Sequence, residues 1–369
     1  MPSAYFISYF SAVGMKPADF KKITDMKKIL TIVIPTYNMQ DYLRRCLDSL
    51  IVSEEQMKQL EVLVVNDGSK DNSSAIAHEY QDKYPDTFRV IDKENGNYGS
   101  CVNRGLKEAT GKYFRILDAD DWFDLNMLKK LLVYLQTIVV DVVYTSFATV
   151  RHDGDVKKII DVTNQKQFET EIIVDLTVNT LQKEFFHMHS LTYKTSMLKN
   201  IGFKQEEKIC YTDTEYVFYP LCHAKSLICF DDVLYQYYVG REGQSMSLTS
   251  MAKNFEHFNI VLNNLLNYNL TYCNPTSLSL SSYYFIVLLR YMLDIHLFTA
   301  LDNEKQEQAL KKLVEIILAR NSEYEKKINN IKRRGCHYVS WWLNKTWFNK
   351  IKLALFVKIK NCSKINSNA

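Results

Sequence analysis

Two hydrophobic rhythms alternate along residues 29–150. Short β-branched runs are separated by stretches whose apolar residues recur every third or fourth position. Ile29–Pro35 predicts a strand that stops at Pro35, which has no N–H to give to a ladder. Leu43, Leu47 and Leu50 lie at helical spacing on Asp41–Ile51. Leu60–Val65 predicts a second strand ending in Asn66-Asp67-Gly68-Ser69, followed by a helix over Ser73–Tyr84 with Asn72 or Ser73 as N-cap. Phe88–Asp92, Tyr113–Leu117 and Val139–Thr149 read as further strands, and Gly99–Ala109 as a helix. Strands and helices alternating at this interval predict βαβ units, a parallel sheet and an α/β fold. Farther on, residues 151–165 read as a polar hairpin around Asp153-Gly154, 168–200 as helical in part, Tyr211–Leu221 as a helix and Ser226–Tyr238 as a strand. From about Asn254 the pattern is helical.

Ligands of open α/β sheets bind at the carboxyl ends of strands. Pro35-Thr36-Tyr37-Asn38, Asp67 and Asp118–Asp121 all fall at such ends. The last is the most charged: the apolar run Tyr113–Leu117 ends in Asp118, Ala119, Asp120 and Asp121. Carboxylates gathered at the end of a core strand are unfavourable unless a cation sits there. Mg²⁺ or Mn²⁺, which take oxygen ligands and also grip phosphates, are the natural candidates. Asp118 and Asp120 are the expected pair, since a one-residue spacer lets both reach one point as the chain turns. Alternatively, Asp120 or Asp121 caps a helix over Asn126–Leu135.

Composition narrows the class. The 369 residues are 47% hydrophobic and 24% charged, with only 11 Gly and 6 Pro, so the chain is globular and long enough for two domains. A net charge of +4 gives no argument for a nucleic-acid partner. The eight cysteines form no CxxC pair or zinc-type cluster and read as reduced cytosolic thiols. Leu131–Tyr144 and Tyr283–Leu301 are too broken by polar residues to span a membrane, and no basic region precedes the first apolar letters as in a signal peptide. Residues 1–25 read as an N-terminal extension, or as a short helix lying on the domain that starts near Met26. Residues 332–364 carry nine lysines and arginines and no acid, and Leu343, Trp347, Ile351 and Leu355 share a helical face. Such a basic amphipathic helix suits peripheral contact with an anionic membrane, or packing of its Trp face on the catalytic domain. Both readings stand.

Five segments together carry a resemblance: Thr-Ile-Val-Ile-Pro-Thr-Tyr-Asn at 31–38, Val-Val-Asn-Asp-Gly-Ser-Lys-Asp-Asn-Ser at 64–73, Asn-Gly-Asn-Tyr-Gly-Ser-Cys-Val-Asn-Arg-Gly-Leu at 95–106, Ala-Thr-Gly-Lys-Tyr at 109–113 and Leu-Asp-Ala-Asp-Asp-Trp at 117–122. In this order they resemble a family 2 glycosyltransferase of the bacterial surface-polysaccharide type over roughly residues 29–245. The resemblance implies a GT-A fold (Rossmann-like, mostly parallel sheet flanked by helices) over 26–245, with 246–369 a helical C-terminal region. It implies that Pro35, Thr36, Tyr37 and Asn38 hold the base and that Asp67 bonds base or ribose. Asn103 would close over the nucleoside, and Asp118, Ala119 and Asp120 form the DxD that meets ribose, metal and diphosphate. Asp213 would be the general base, and Arg241 to Ser245 a loop closing on the diphosphate. Asn66, Val102 and Thr212 depart from the family pattern.

The implied activity is an inverting, Mg²⁺- or Mn²⁺-dependent hexosyl or N-acetylhexosaminyl transfer. The donor would be a nucleotide-sugar, UDP-linked, and the acceptor a glycan, lipid-linked, met in the cytoplasm or at the inner membrane face. Spacing alone equally suits Asp213 as N-cap of a helix over 214–221, and Glu215 is a rival base. His187 and His189, two apart, would face one side of a strand and bind metal or acceptor, or simply pack. A non-catalytic nucleotide-sugar binder of the same fold is the alternative, which Asp118, Asp120 and Asp213 argue against. A nucleotidyltransferase would show a basic Gly-rich loop where Pro35–Asn38 stand.

Overall fold

The computed structural model describes residues 28–151, 156–160, 170–176, 186–240, 244–271, 275–300, 303–320, 323–332, 336–344 and positions 346, 349 and 352. The expected N-terminal extension, Arg241 and most of the basic tail lie outside the described residues. The chain divides into two units. The first runs to Val174 and adds His187–Lys208 and Ala224–Val239; the second comprises Asp175–Phe186, Ile209–His223 and the chain from Gly240 on.

The first unit is built on β1 (Leu30–Thr36), whose aliphatic side chains are buried throughout. It pairs in parallel with β2 (Leu60–Asn66) on one side and β4 (Tyr113–Ile116) on the other, and β3 (Phe88–Asp92) extends the sheet beyond β2. β1 runs through Pro35 rather than stopping there. Successive residues of a strand offer their backbone groups to opposite neighbours. Val33 O accepts from Leu117 on the β4 side and Thr36 O from Asp67 on the β2 side. Pro35 therefore turns its missing donor toward β4, whose pairing with β1 has already ended at Val33↔Ile116.

Four helices connect these strands: α1 (Gln40–Asp48) with the short α2 (Glu54–Met57), α3 (Ser73–Lys83), and α4 (Asn97–Glu108). The chain continues through β5 (Trp122–Phe123), α5 (Leu125–Thr137), β6 (Val142–Val150), β7 (Val156–Ile160), β8 (Ile173–Asp175), β9 (Leu191–Lys194) and α6 (Thr195–Asn200). After α7 (Asp213–Leu221) comes β10 (Ser226–Tyr238).

The strand order is β3-β2-β1-β4-β9-β6-β10-β5, with β7 beside β6 and β8 beside β10. The parallel pairing expected of a GT-A fold is present in β3-β2-β1-β4 and between β6 and β10, and antiparallel strands complete the sheet. β9 lies antiparallel between β4 and β6, and β5 antiparallel to β10. β9 is a four-residue run, Leu-Thr-Tyr-Lys, that follows a 3₁₀ turn at Met188–Ser190. The hairpin expected near 151–165 is present as antiparallel β6–β7 pairing.

The second unit is helical: α7, α8 (Leu248–Lys253), α9 (Phe255–Thr271), α10 (Pro275–Thr299), α11 (Glu304–Arg320), α12 (Glu323–Asn329) and α13 (Tyr338–Leu343). In α9, Phe255, Phe258, Leu262, Leu265, Leu266 and Asn269 form one buried stripe at helical spacing.

The closest approach of helix to sheet in the first unit is at Gly105 of α4. A Cβ there would lie 2.4 Å from Val33 Cγ2 of β1. Gly105→Ala should push α4 off the central strand and destabilise the protein by roughly 1–3 kcal/mol, the usual range for overpacking. A urea unfolding midpoint equal to that of the parent protein would show that α4 can move without loss.

Candidate functional site

The chain turns sharply after β4. Asp121 N–H bonds back to Asp118 O at 3.0 Å, closing the Asp118–Asp121 turn. Two neighbouring elements grip it. From α1, the Arg45 guanidinium donates to Asp120 O at 2.9 Å and lies over the Trp122 and Tyr238 rings at 3.9 and 4.6 Å. The Cys46 thiol faces Asp118 O at 3.7 Å. From β10, Tyr235 Oη accepts from Asp118 N–H at 3.2 Å and donates to Asp121 Oδ2 at 2.6 Å, while Tyr238 N–H donates to Asp121 Oδ1 at 2.7 Å. Asp121 is thus fully buried yet hydrogen-bonded on both oxygens. The cap of α5 is Asp124, which accepts from Asn126 and Met127 N–H at 2.9 and 3.0 Å. The capping alternative for Asp120 and Asp121 is corrected accordingly: Asp124 stands directly before the first helical residue, where a carboxylate reaches the free N–H groups.

Asp118, Asp121 and His189 each bring one ligand atom to within 4.8 Å of the others. Tyr98 at the start of α4 donates to Asp118 Oδ1 at 2.8 Å. His187 and His189 do not share a strand face; they flank Met188 at the 3₁₀ turn, with ring centroids 6.4 Å apart. The His189 ring is sandwiched by Tyr237 at 4.4 Å, Tyr235 at 4.8 Å and Phe147 at 5.1 Å. Its Nδ1 is shut off from solvent and has no hydrogen-bond partner. Beneath this turn lies Arg115, wholly buried in β4. Its guanidinium donates to Thr192 Oγ1 at 2.7 Å and to Thr145 Oγ1 at 3.3 Å, and it also holds the His189 carbonyl.

The electrostatics of the turn are one-sided. Asp121 is pushed well up, first by burial and then by Asp120 and Asp118. Burial and the same carboxylates raise the Tyr235 phenol and the Cys46 thiol. Burial, then His187 and Arg115, hold His189 well below its ordinary range, so its ring is neutral and able to ligate. Three different groups thus register the same excess of negative charge. The donor set of carboxylates and a neutral imidazole fits a divalent cation.

The residues expected around the nucleotide lie at the ends of β1 and β2 and at α4. Thr36 is buried, Tyr37 is 46% exposed and Asn38 takes a left-handed φ of 53°. Asn38 Oδ1 accepts Lys70 N–H at 2.8 Å, tying the β1 end to the β2 loop. Asp67 Oδ1 receives Lys93 Nζ at 2.5 Å and Gly96 N–H at 2.9 Å. The Asn103 amide donates to Gln205 O and to Glu207 Oε1, each at 2.9 Å, and accepts Gln205 N–H at 2.8 Å.

In the second unit, Asp213 is the first residue of α7 and exposed, with Thr212 at the N-cap position. The surrounding protein nevertheless raises its carboxyl above the ordinary range by desolvation, against backbone N–H groups that lower it. Its rival Glu215 is fully buried and accepts from Tyr219 Oη and Asn264 Nδ2, both at 3.1 Å. Ser245 O accepts from Tyr211 Oη at 3.0 Å.

Residues 31–199 match the profile of glycosyl transferase family 2. This stretch, a little under half of the chain, is similar to that family. Among curated relatives, glycosyltransferase MG025 of Mycoplasma genitalium, uncharacterized, is 40% identical over 28% of this chain and 36% of its own length. The minor teichoic acid biosynthesis protein GgaB of Bacillus subtilis is 27% identical over 63% of this chain, which spans 25% of GgaB. The chain spans about a third of the MG025 sequence and less of several other relatives. The crystal structure of S. aureus TarS residues 1–349 with UDP-GlcNAc superposes with a TM-score of 0.57 at 21% identity, covering 81% of this chain and 83% of that one. At this identity the likeness is one of fold, and it bears out the GT-A expectation for a family 2 glycosyltransferase. No helix among the described residues is long and apolar enough to cross a membrane.

Sequence reasoning passed over Arg45, Lys93, Tyr98, Arg115 and Tyr235, which hold the expected residues in place. Arg115 left a readable signal, a lone charge inside the apolar run Tyr113–Leu117. The others come from distant segments and left none. Tyr235→Phe removes the bridge between Asp118 N–H and Asp121. It should lower stability by roughly 1–3 kcal/mol, the range for orphaning a buried polar group. An unchanged urea midpoint with an unchanged slope would show that the turn does not depend on the phenol.

Proposed function

We propose that this glycosyltransferase transfers a sugar, with inversion, from a UDP-linked donor to a glycan acceptor in a metal-dependent reaction. The acceptor is a lipid-linked oligosaccharide of a bacterial surface polysaccharide. The observation that carries the reading is the carboxylate-rich turn at the end of β4, where Asp118, Asp121 and His189 converge within 4.8 Å. A divalent cation there supplies charge neutralisation for a leaving diphosphate. Asp118 and Asp120 are the residues proposed to hold it. Thr36, Tyr37, Asn38, Asp67 and Asn103 are proposed to line the nucleoside, with Pro35 shaping the loop, and Arg241 to Ser245 to close on the diphosphate. The UDP-GlcNAc bound by TarS and the teichoic acid role in the name of GgaB support the donor and acceptor classes. The basic residues of 332–364 favour work at an anionic membrane face, which cosedimentation with anionic vesicles would test.

Asp213 is the proposed base. It is exposed at the start of α7, whereas Glu215 is buried and engaged with Tyr219 and Asn264. A base must be unprotonated to accept the acceptor proton, so activity is lost as pH falls through its pKa. Since Asp213 is raised, the acidic limb of kcat/KM should lie above the ordinary carboxylate range. Asp213→Asn should lower kcat by roughly 10²–10⁴-fold and leave donor binding intact, whereas Glu215→Gln should act mainly on stability. A profile with the same acidic limb in Asp213→Asn would remove Asp213 from this role.

Donor binding is tested by thermal unfolding with UDP, GDP, CMP, TDP and UDP-sugars, with and without Mn²⁺. UDP at a hundredfold excess over its Kd should stabilise by about 2.7 kcal/mol, in a metal-dependent way that Asp120→Ala abolishes. Absence of a shift with every nucleotide would overturn the donor reading.

A further inference from the structure

We propose that His189 joins the carboxylates of the β4 turn as a ligand of the cation proposed there, and that it makes this site select Mn²⁺ or Co²⁺ over Mg²⁺ and Ca²⁺. The inference rests on the metal-dependent reading of the same site and deepens it by naming a third ligand and the class of ion.

The argument starts from what the ring lacks. His189 Nδ1 is buried without a hydrogen-bond partner. An orphaned buried polar atom costs roughly 1–3 kcal/mol. The ring's aromatic contacts with Tyr237, Tyr235 and Phe147 would be met as well by phenylalanine, without that penalty. Packing therefore explains an aromatic ring here and leaves the nitrogen unexplained. One ring nitrogen lies with a carboxylate oxygen of Asp118 and one of Asp121 inside a 4.8 Å spread. Ligand atoms that share one small cation lie within roughly 4.2 Å of one another, so a small contraction would let the imidazole and the carboxylates share an ion whose remaining positions would be left to water and phosphate.

The ring is also set in place from behind. The buried Arg115 holds the His189 carbonyl and is itself bonded to Thr192 and Thr145 on the adjoining strands β9 and β6. The guanidinium fixes the backbone of the turn, and the three aromatic rings fix the imidazole plane. Preorganisation of this kind is what a metal ligand needs and what a surface histidine does not have. Chemistry then sets the preference. Oxygen-only sites suit Mg²⁺ and Ca²⁺, whereas an imidazole nitrogen raises affinity along the series from Mn²⁺ through Co²⁺.

The test uses the full chain without nucleotide or acceptor, so that it reads the ion alone. Mn²⁺ binding is followed by electron paramagnetic resonance and Co²⁺ by its visible absorption, each in competition with Mg²⁺. Bound Mn²⁺ should show nitrogen-14 modulation in pulsed spectra, and Co²⁺ should outcompete Mg²⁺. His189→Phe keeps the aromatic contacts and should lower Co²⁺ and Mn²⁺ affinity by roughly tenfold or more, with Mg²⁺ affinity nearly unchanged. The metal-free variant should melt no lower than the parent protein, which separates loss of a ligand from loss of fold. Mn²⁺ bound without nitrogen modulation, or Co²⁺:Mg²⁺ selectivity identical in His189→Phe, would overturn the proposal and leave the donor-site reading standing. Selectivity and modulation present in a protein that no nucleotide stabilises would uphold the His189 site and sink the donor reading instead.

Discussion

Negative charge gathered at the carboxyl end of β4 is the constraint around which the first unit is arranged. Asp118, Asp120 and Asp121 stand within four positions, and the last is wholly buried. Like charges so close repel one another and make the folded state unfavourable unless donors and cations answer them. Arg45 answers from α1, through the Asp120 carbonyl, and Tyr235 and Tyr238 from β10. None of these helpers is adjacent to the turn in sequence, so the strand order itself, with β10 and α1 both reaching β4's end, is what lets the carboxylates coexist. The antiparallel insertion of β9 serves the same end. It places Thr192 against the buried guanidinium and carries the 3₁₀ turn with His189 to the aspartates.

Much of this was legible in the residues. The β-branched runs of β1 to β4 and the helices between them carry the period of a βαβ fold, and the loops at their carboxyl ends carry the motifs of family 2. Local signals gave way where a tertiary contact overrode them. Pro35 looked like a strand terminator, yet β1 continues through it because the neighbouring strand has ended on that side. β9 has only four residues, too few for periodicity to distinguish it from a helical segment. Asp120, Asp121 and Asp124 are equivalent as letters, and only the position of the first helical residue tells which one caps α5. Asp213 and Glu215 are likewise indistinguishable by spacing, whereas burial against Tyr219 and Asn264 separates them sharply.

The side proposed for the nucleotide follows a different logic from the side proposed for the metal. Asp67 is already charge-paired with Lys93 and bonded by Gly96 N–H, and Asn103 is committed to the segment at Gln205 and Glu207. These residues shape their loops first, and whatever they offer a ligand is what remains after that work. A carboxylate neutralised by lysine is a mild acceptor, suited to a neutral N–H or hydroxyl rather than to a second cation.

The helix that bears Asp213 lies beyond the stretch that matches the family. The family profile ends at residue 199, before α7 begins at Asp213, and α7 is fastened through Glu215 to Asn264 of α9 within the helical unit. The proposed base and the strand-end loops therefore belong to different units of the chain. Exchange of the C-terminal helices between relatives at a junction near residue 245 would part α7 from its anchor; a junction before Asp175 would keep them together.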